Sequence, residues 1–201
     1  MAPAWTETPA PNVYFDPTFG CEAAKILPGE YYVTGRDMML VTVLGSCVAA
    51  CIRDRANGTG GMNHFMLPDA GQDGGATGVS ARYGAYAMEV LVNQLLKGGA
   101  RRDRLEAKVF GGGAVIRGME TINIGERNAE FVLDYLGTEG IAIAAKDLRS
   151  DCARKVYYWP ATGRVSLKRF RDFHNDTILA RERAYSRKIT SVPVAGEVEL
   201  F

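Results

Sequence analysis

The chain has 201 residues, with 24 basic and 23 acidic side chains, so its formal net charge at pH 7 is +1. This balance argues against a dedicated nucleic-acid-binding protein, and the length predicts one domain with or without short appendages. No apolar run approaches the roughly 20 residues that cross a bilayer. The first residues, MAPAWTETPAPNVYF, have no basic start and no apolar core. We therefore expect no secretory signal, no membrane insertion and a cytoplasmic location.

The first part of the chain is predicted to be an arm followed by strands. Residues 1–26, with Pro, Ala and Thr concentrated at their start, are interpreted as a flexible N-terminal arm. From Glu30 onward, short apolar and β-branched runs alternate with Gly, Asp and Asn, a pattern that is typical of strands. Strands are predicted over 30–34, 39–45, 48–53 and 61–67.

The second part adds helices between strands. One apolar stripe at helical spacing runs from Met88 to Leu96, and a second runs from Ala129 to Leu136. Further strands are predicted over 106–110, 141–145, 155–159 and 164–170. This order predicts a mixed α/β fold, with β-sheets packed with helices in a layered sandwich, as one domain over 27–171. Residues 172–201 are interpreted as a C-terminal extension, a helix followed by a candidate edge strand at GEVELF.

The cysteines do not form a pattern typical of disulfides or of metal sites. They are Cys21, Cys47, Cys51 and Cys152. A disulfide framework is typical of small secreted chains, and the pair formed by Cys47 and Cys51 is followed by no second ligand pair of the kind that zinc sites use. We expect reduced thiols and no metal. Cys51 is interpreted as a small core residue, and a resolving thiol is the alternative.

Two segments carry residues suited to covalent chemistry, VTVLGSCVAACIRD at 41–54 and GGMNHFMLPD at 60–69. Gly45 allows a sharp turn that leaves backbone N–H groups free near the Cys47 thiol, as an oxyanion hole requires. Because neighbouring strands often pair, His64 could lie beside that thiol and take its proton. The alternative is that both are ordinary buried residues, as Cys and a lone His in an apolar strand often are.

Together these segments resemble the signature of the CheD family of chemoreceptor glutamine deamidases. The likeness rests on LGSCVAACIRD, a Gly-rich turn and GGMNHFMLP, and it continues through KVFGGG and NIGERN to cover residues 27–170. It implies a CheD-like single domain and a protein-glutamine glutaminase. Such an enzyme converts glutamine side chains of methyl-accepting chemotaxis receptors to glutamate and supports chemotactic adaptation.

The resemblance also assigns roles to residues. It implies Cys47 as the nucleophile that forms a thioester, His64 as its base, and no cofactor. Backbone N–H groups around Gly45, Ser46 and Val48 are expected to hold the oxyanion. The receptors would be the partners, together with a CheC-type phosphatase.

One position departs from the family pattern, in which a threonine lies six residues before the cysteine. That position is Val41 here, and Thr42 lies five residues before Cys47. Because adjacent strand residues face opposite sides of a sheet, we expect Thr42 to serve as the third catalytic residue only if the strand bulges or shifts its register. Ser46 is a second candidate for that role.

Three further features are interpreted more simply. The run Gly111–Gly113 lacks the spacing of a phosphate-binding loop, and the resemblance places it in a tight turn near the site. The Gly-rich loop 69–79 is predicted to border the cleft. His174 is interpreted as a surface or helix-capping residue.

The sequence leaves two alternatives to the deamidase. A mainly regulatory binding partner of chemoreceptors or of a CheC-type phosphatase would have no chemical need for both Cys47 and His64. A general cysteine peptidase or transglutaminase would share the nucleophile, but no recognisable motif supplies its acidic or Asn third member.

Overall fold

The computed structural model describes residues 8–9, 12–68, 79–114, 124–170 and 176–191. They form eleven strands and three α-helices, with one turn of 3-10 helix at Arg102–Arg104. The strands are β1 (Thr8–Pro9), β2 (Asn12–Asp16), β3 (Cys21–Lys25), β4 (Glu30–Thr34), β5 (Met39–Leu44), β6 (Val48–Asp54), β7 (Gly60–Asn63), β8 (Leu105–Gly111), β9 (Ala142–Leu148), β10 (Ala153–Trp159) and β11 (Arg164–Phe170). The helices are α1 (Val79–Lys97), α2 (Ile124–Thr138) and α3 (Asp176–Ser191).

A six-stranded sheet with the order β1-β4-β7-β6-β8-β9 forms the centre of the molecule. Its strand β6 is buried on both faces, which explains why its sequence is almost continuously apolar. Val48, Ala50 and Ile52 pack with the apolar stripes of α1 and α2. Ala49 and Cys51 face the opposite way, toward the second sheet.

The second sheet has five strands in the order β11-β10-β5-β3-β2. Leu40 and Leu44 of β5 pack with the inner face of the six-stranded sheet, whereas Met39 and Val41 belong to a separate cluster with Trp159. The layers are therefore helices, six-stranded sheet and five-stranded sheet, which confirms the predicted mixed α/β sandwich. The space between the sheets is where Cys47 lies.

The prediction of a flexible N-terminal arm is wrong for residues 12–25, which form β2, a turn and β3. β2 and β3 pair with each other, and β3 also pairs in parallel with β5. Ala23 and Ala24 of β3 are fully buried. Their small side chains give no local strand signal, so it is the pairing with β5 that makes this segment a strand.

Two other predictions concern segment ends. The strand predicted over 61–67 is shorter in the structure: β7 ends at Asn63, and Phe65 beyond it forms an isolated bridge to Val48. The helix expected in the C-terminal extension is α3. The candidate edge strand at GEVELF lies outside the described residues, as do residues 69–78 of the predicted cleft loop and His174.

Candidate catalytic site between the two sheets

The loop Gly45–Cys47 joins β5 to β6. Main-chain hydrogen bonds from the glycine run Gly111–Gly113 at the end of β8 hold it in place. The N–H of Gly112 donates to the Cys47 carbonyl at 2.8 Å, and the N–H of Gly113 donates to the Gly45 carbonyl at 2.8 Å. At Gly111, where φ is +112°, a Cβ atom would lie 2.1 Å from the Cys47 carbonyl oxygen. Only glycine fits such an approach. The glycine run therefore sets the position of the Gly45–Cys47 loop.

Asn128 of α2 fixes the same loop from the side. Its Nδ2 donates to the Ser46 carbonyl at 2.8 Å, and its Oδ1 accepts from the N–H of Leu67 at 2.8 Å. The side chain is fully buried. One amide thus connects the loop that carries Cys47 with the segment that follows His64.

Main-chain pairing brings His64 to the face of the sheet that Cys47 occupies. Val48 and Phe65 exchange both of their hydrogen bonds at 2.9 Å. This antiparallel register places His64 opposite Ala49, and Cys47 is then its diagonal neighbour on the same face. Diagonal neighbours lie about 7–8 Å apart, within reach of long side chains. The structure therefore places both predicted residues on one face of the sheet, beside each other.

Thr42 reaches the imidazole from the other sheet. Its hydroxyl donates to the Ile26 carbonyl at 2.7 Å, so the lone pair on Oγ1 accepts the Nδ1–H of His64 at 2.8 Å. The proton on Nδ1 leaves Nε2 as the basic nitrogen. No described group makes a hydrogen bond to Nε2, although it is buried. Thr42 thus selects the tautomer that a base beside a thiol needs.

The expected bulge or register shift is not needed for this contact. β5 pairs without interruption with β10 and with β3. In that regular strand Thr42 points between the sheets together with Leu40 and Leu44. Val41 lies on the opposite face of the five-stranded sheet, in a buried cluster with Trp159. The expectation of a bulge was wrong because it assumed that the residue six positions before Cys47 must face His64. The two-residue periodicity of a strand determines only which residues share a face, and not which face points to His64.

A buried carboxylate that the sequence did not indicate accepts hydrogen bonds from the N–H groups of the Gly45–Cys47 loop. Glu182 of α3 accepts from the N–H groups of Gly45 at 2.9 Å, Ser46 at 3.0 Å and Cys47 at 3.2 Å, and from the Ser46 hydroxyl at 2.7 Å. Three backbone donors that converge on one point make an anion-binding site. The N–H of Val48 is not among them, because it donates to Phe65.

Burial and this carboxylate determine the protonation states of the pair. Burial, together with the negative charge of Glu182 and a hydrogen bond to it, raises the pKa of the Cys47 thiol well above its usual value. Burial lowers the pKa of His64 to about 4, against a smaller opposing effect of the Glu182 charge. The site as folded therefore holds a neutral thiol and a neutral imidazole.

Of the residues predicted for the site, five lie together: Cys47, His64, Thr42, Gly45 and Ser46. The side chain of Val48 instead faces the helices, and its N–H pairs with Phe65. Sequence reasoning missed Asn128 and Glu182. The resemblance through NIGERN pointed to the segment of Asn128, but nothing local marks Glu182 within a charged run.

Cys51 is part of the core between the sheets and does not lie next to Cys47. It is 1% exposed, and burial raises the pKa of its thiol. Four residues of extended strand span about 13 Å, farther than a disulfide allows. In the described part of the chain, no three His, Cys, Asp or Glu side chains are grouped so that they could hold a metal ion. None of the described helices has the length and apolar character needed to cross a membrane.

Comparison with known proteins identifies related chains. A family model described as CheD chemotactic sensory transduction matches residues 66–169. A protein of Herminiimonas arsenicoxydans named probable chemoreceptor glutamine deamidase CheD is 61% identical over 96% of this chain and 95% of its own length. Proteins with the same name from Thiobacillus denitrificans and Laribacter hongkongensis are 60% and 50% identical, over 100% and 98% of this chain and 100% and 96% of their own lengths. Among solved structures, the hypothetical protein YfiH of Bacillus licheniformis has a TM-score of 0.38 at 14% identity, over 58% of this chain and 49% of its own.

Proposed function

The chain belongs to the CheD family, and from that premise we propose that it is a protein-glutamine deamidase that acts on methyl-accepting chemotaxis receptors in the cytoplasm. The observation that carries the proposal is the arrangement of Cys47 and His64 on one sheet face, with Thr42 holding the imidazole in the required tautomer. The names of relatives that match over nearly their full lengths supply the substrate class.

The first half of the reaction forms a thioester. Nε2 of His64 takes the thiol proton, and the Cys47 thiolate attacks the side-chain amide carbon of a receptor glutamine. The N–H groups of Gly45, Ser46 and Cys47 hold the negative oxygen of the tetrahedral intermediate. The imidazolium returns its proton to the amide nitrogen, which leaves as ammonia.

The second half of the reaction releases glutamate. Nε2 takes a proton from water, and the resulting hydroxide attacks the thioester carbon. The thiolate leaves and recovers the proton from His64, so the enzyme returns to its initial state. Throughout, the Thr42 hydroxyl accepts the Nδ1–H, which keeps the ring aligned and helps to stabilise its charged form.

The direct test mixes a chemoreceptor cytoplasmic domain with the wild-type protein, with Cys47→Ala or with His64→Ala. We expect ammonia release and the conversion of defined glutamines to glutamate, detected by peptide mass spectrometry, with the wild type alone. If all three proteins bind the receptor and none deamidates it, the deamidase proposal is wrong. The regulatory alternative, binding to receptors or to a CheC-type phosphatase, would then be favoured.

A further inference from the structure

Helix α3 lies against the catalytic site through one narrow face. Glu182 and Tyr185 are buried and Ile189 packs with the core between the sheets, whereas Arg181 and Arg183 are exposed. Residues at i, i+3 and i+7 share one side of a helix, so this contact face is continuous. It begins with a charged residue, which is unusual for a face that is buried in a core.

The position of the Glu182 carboxylate is that of a reaction product. Its two oxygens accept hydrogen bonds from the N–H groups of Gly45, Ser46 and Cys47, so the carboxylate lies beside Cys47. A deamidated glutamine would leave this same group, a glutamate carboxylate, at this same place. Because Glu182 belongs to a helix, it also presents the carboxylate as a substrate helix would.

With Glu182 in place, the catalytic groups cannot meet a substrate. Cys47 is 0% exposed and His64 is 2% exposed. Nε2 of His64 is buried and has no hydrogen-bond partner among the described groups. The N–H groups that would hold the oxyanion are already occupied. Turnover therefore requires Glu182 to leave.

The remainder of the contact face of α3 packs on Gly29, which lies in the segment that pairs with His64. The Tyr185 ring lies over Gly29, where a Cβ atom would come within 2.7 Å of it, and the Tyr185 hydroxyl contacts that of Tyr83. Gly29 in turn donates its N–H to the His64 carbonyl at 2.7 Å. The helix thus covers both the Cys47 loop and the strand end that carries His64.

We propose that α3 is a built-in product mimic, which occupies the docking surface of the substrate helix and places Glu182 where the substrate glutamine side chain reacts. This inference rests on the proposed deamidase function and specifies its substrate. The substrate is a helix that displaces α3 and carries its glutamine three residues before an aromatic residue and seven before an apolar one, as Glu182 precedes Tyr185 and Ile189.

The first experiment turns the mimic into a substrate. In Glu182→Gln the introduced amide lies against Cys47, and we expect the full-length protein to convert it to glutamate with release of ammonia, as followed by peptide mass spectrometry. The double variant with Cys47→Ala controls for spontaneous deamidation. Glu130→Gln, at an exposed position of α2, controls for non-specific attack, and both control amides should persist. The proposal is overturned if the same protein preparation deamidates the receptor but leaves the amide at position 182 intact.

The second experiment measures occupancy of the site without relying on the reaction. In Glu182→Ala the labelling rate of Cys47 by a small thiol reagent should rise at least about tenfold, because charge-assisted hydrogen bonds that hold the helix closed are lost. Arg183→Ala, on the exposed face of the same helix, should leave that rate unchanged. Equal labelling of Cys47 in Glu182→Ala and wild type overturns the proposal. If labelling rises but neither protein deamidates receptor, the deamidase function is wrong and the occupancy of the site by α3 stands.

Discussion

At the scale of single residues, Thr42 has a role that depends on two hydrogen bonds made by one hydroxyl. It donates to Ile26 and accepts from Nδ1 of His64. A hydroxyl has only one proton, so the first bond determines the direction of the second. The tautomer of His64 is therefore set by the main-chain carbonyl of Ile26, which directly follows β3.

Thr42→Val keeps the shape of this side chain and removes its hydroxyl. We expect kcat for receptor deamidation to fall at least about tenfold, because the imidazole loses its tautomer preference, and the unfolding free energy to fall by about 1–3 kcal/mol because Nδ1 is left buried without a partner. Thr42→Ser, which keeps the hydroxyl, should recover most of the activity. A Thr42→Val enzyme with wild-type kcat would show that the contact has no part in the reaction.

The lowered pKa of His64 predicts how stability depends on pH. The folded protein holds this imidazole with a pKa of about 4, below the ordinary value near 6.5, so between these values the unfolded chain binds more protons. The corresponding stability is complete above about pH 6.5 and is lost as the pH falls toward 4, by about 1.4 kcal/mol per unit at most.

Urea unfolding between pH 4 and 7 measures this dependence. The non-titrating variant His64→Gln is the comparison, and its stability should change less over that interval even though its absolute stability is lower. Parallel pH profiles for the two proteins would argue against a buried neutral His64.

At the scale of elements, the glycine run after β8 and the loop before β6 fit together through main-chain atoms. Gly111 lies so close to the Cys47 carbonyl that no side chain fits, and its backbone conformation disfavours any other residue. The elements themselves were predictable, since the strand and the glycines are visible in KVFGGG. The partner of the turn was not, because it is 64 residues away in sequence.

Gly111→Ala should lower the unfolding free energy by at least about 2 kcal/mol, since it combines a close contact with an unfavourable φ. It should also reduce activity, because the relief of that contact moves Cys47. Gly137→Ala in α2, where an added Cβ meets nothing within 4 Å, is the matched control and should be neutral or slightly stabilising. Thermal unfolding of both variants tests the close approach of Gly111 to the Cys47 carbonyl. Equal unfolding midpoints for the two variants would contradict it.

At the scale of the whole molecule, the proposed catalytic groups come from both sheets, and helix α3 packs against part of this site. The six-stranded sheet provides the surface shared by Cys47 and His64, and the five-stranded sheet provides Thr42. Helix α3 covers the Cys47 loop and the segment that pairs with His64. If a substrate helix takes the place of α3, binding of the receptor and undocking of α3 are one event.

Hydrogen exchange detects that event. Addition of a receptor cytoplasmic fragment to the full-length Cys47→Ala protein, which binds without turnover, should speed amide exchange in 176–191, because local opening exposes those amides. Exchange in α1 should stay unchanged and serves as the internal control. Slower or unchanged exchange in α3 upon receptor binding would mean that the receptor docks elsewhere or on top of the helix.

The sequence by itself determined the family, the layered α/β architecture, most strands and helices, and the two residues that the proposed chemistry needs. These follow from local patterns: apolar runs for strands buried on both faces, helical stripes, and a Cys and a His in neighbouring segments. Only the tertiary structure decided that 12–25 form two paired strands, that Thr42 and not Val41 faces His64, and that Glu182 occupies the N–H groups proposed to hold the oxyanion. Each of these depends on which distant segment lies alongside. The local sequence carries no signal for the pairing of β3 with β5, for which face of β5 points between the sheets, or for the docking of α3.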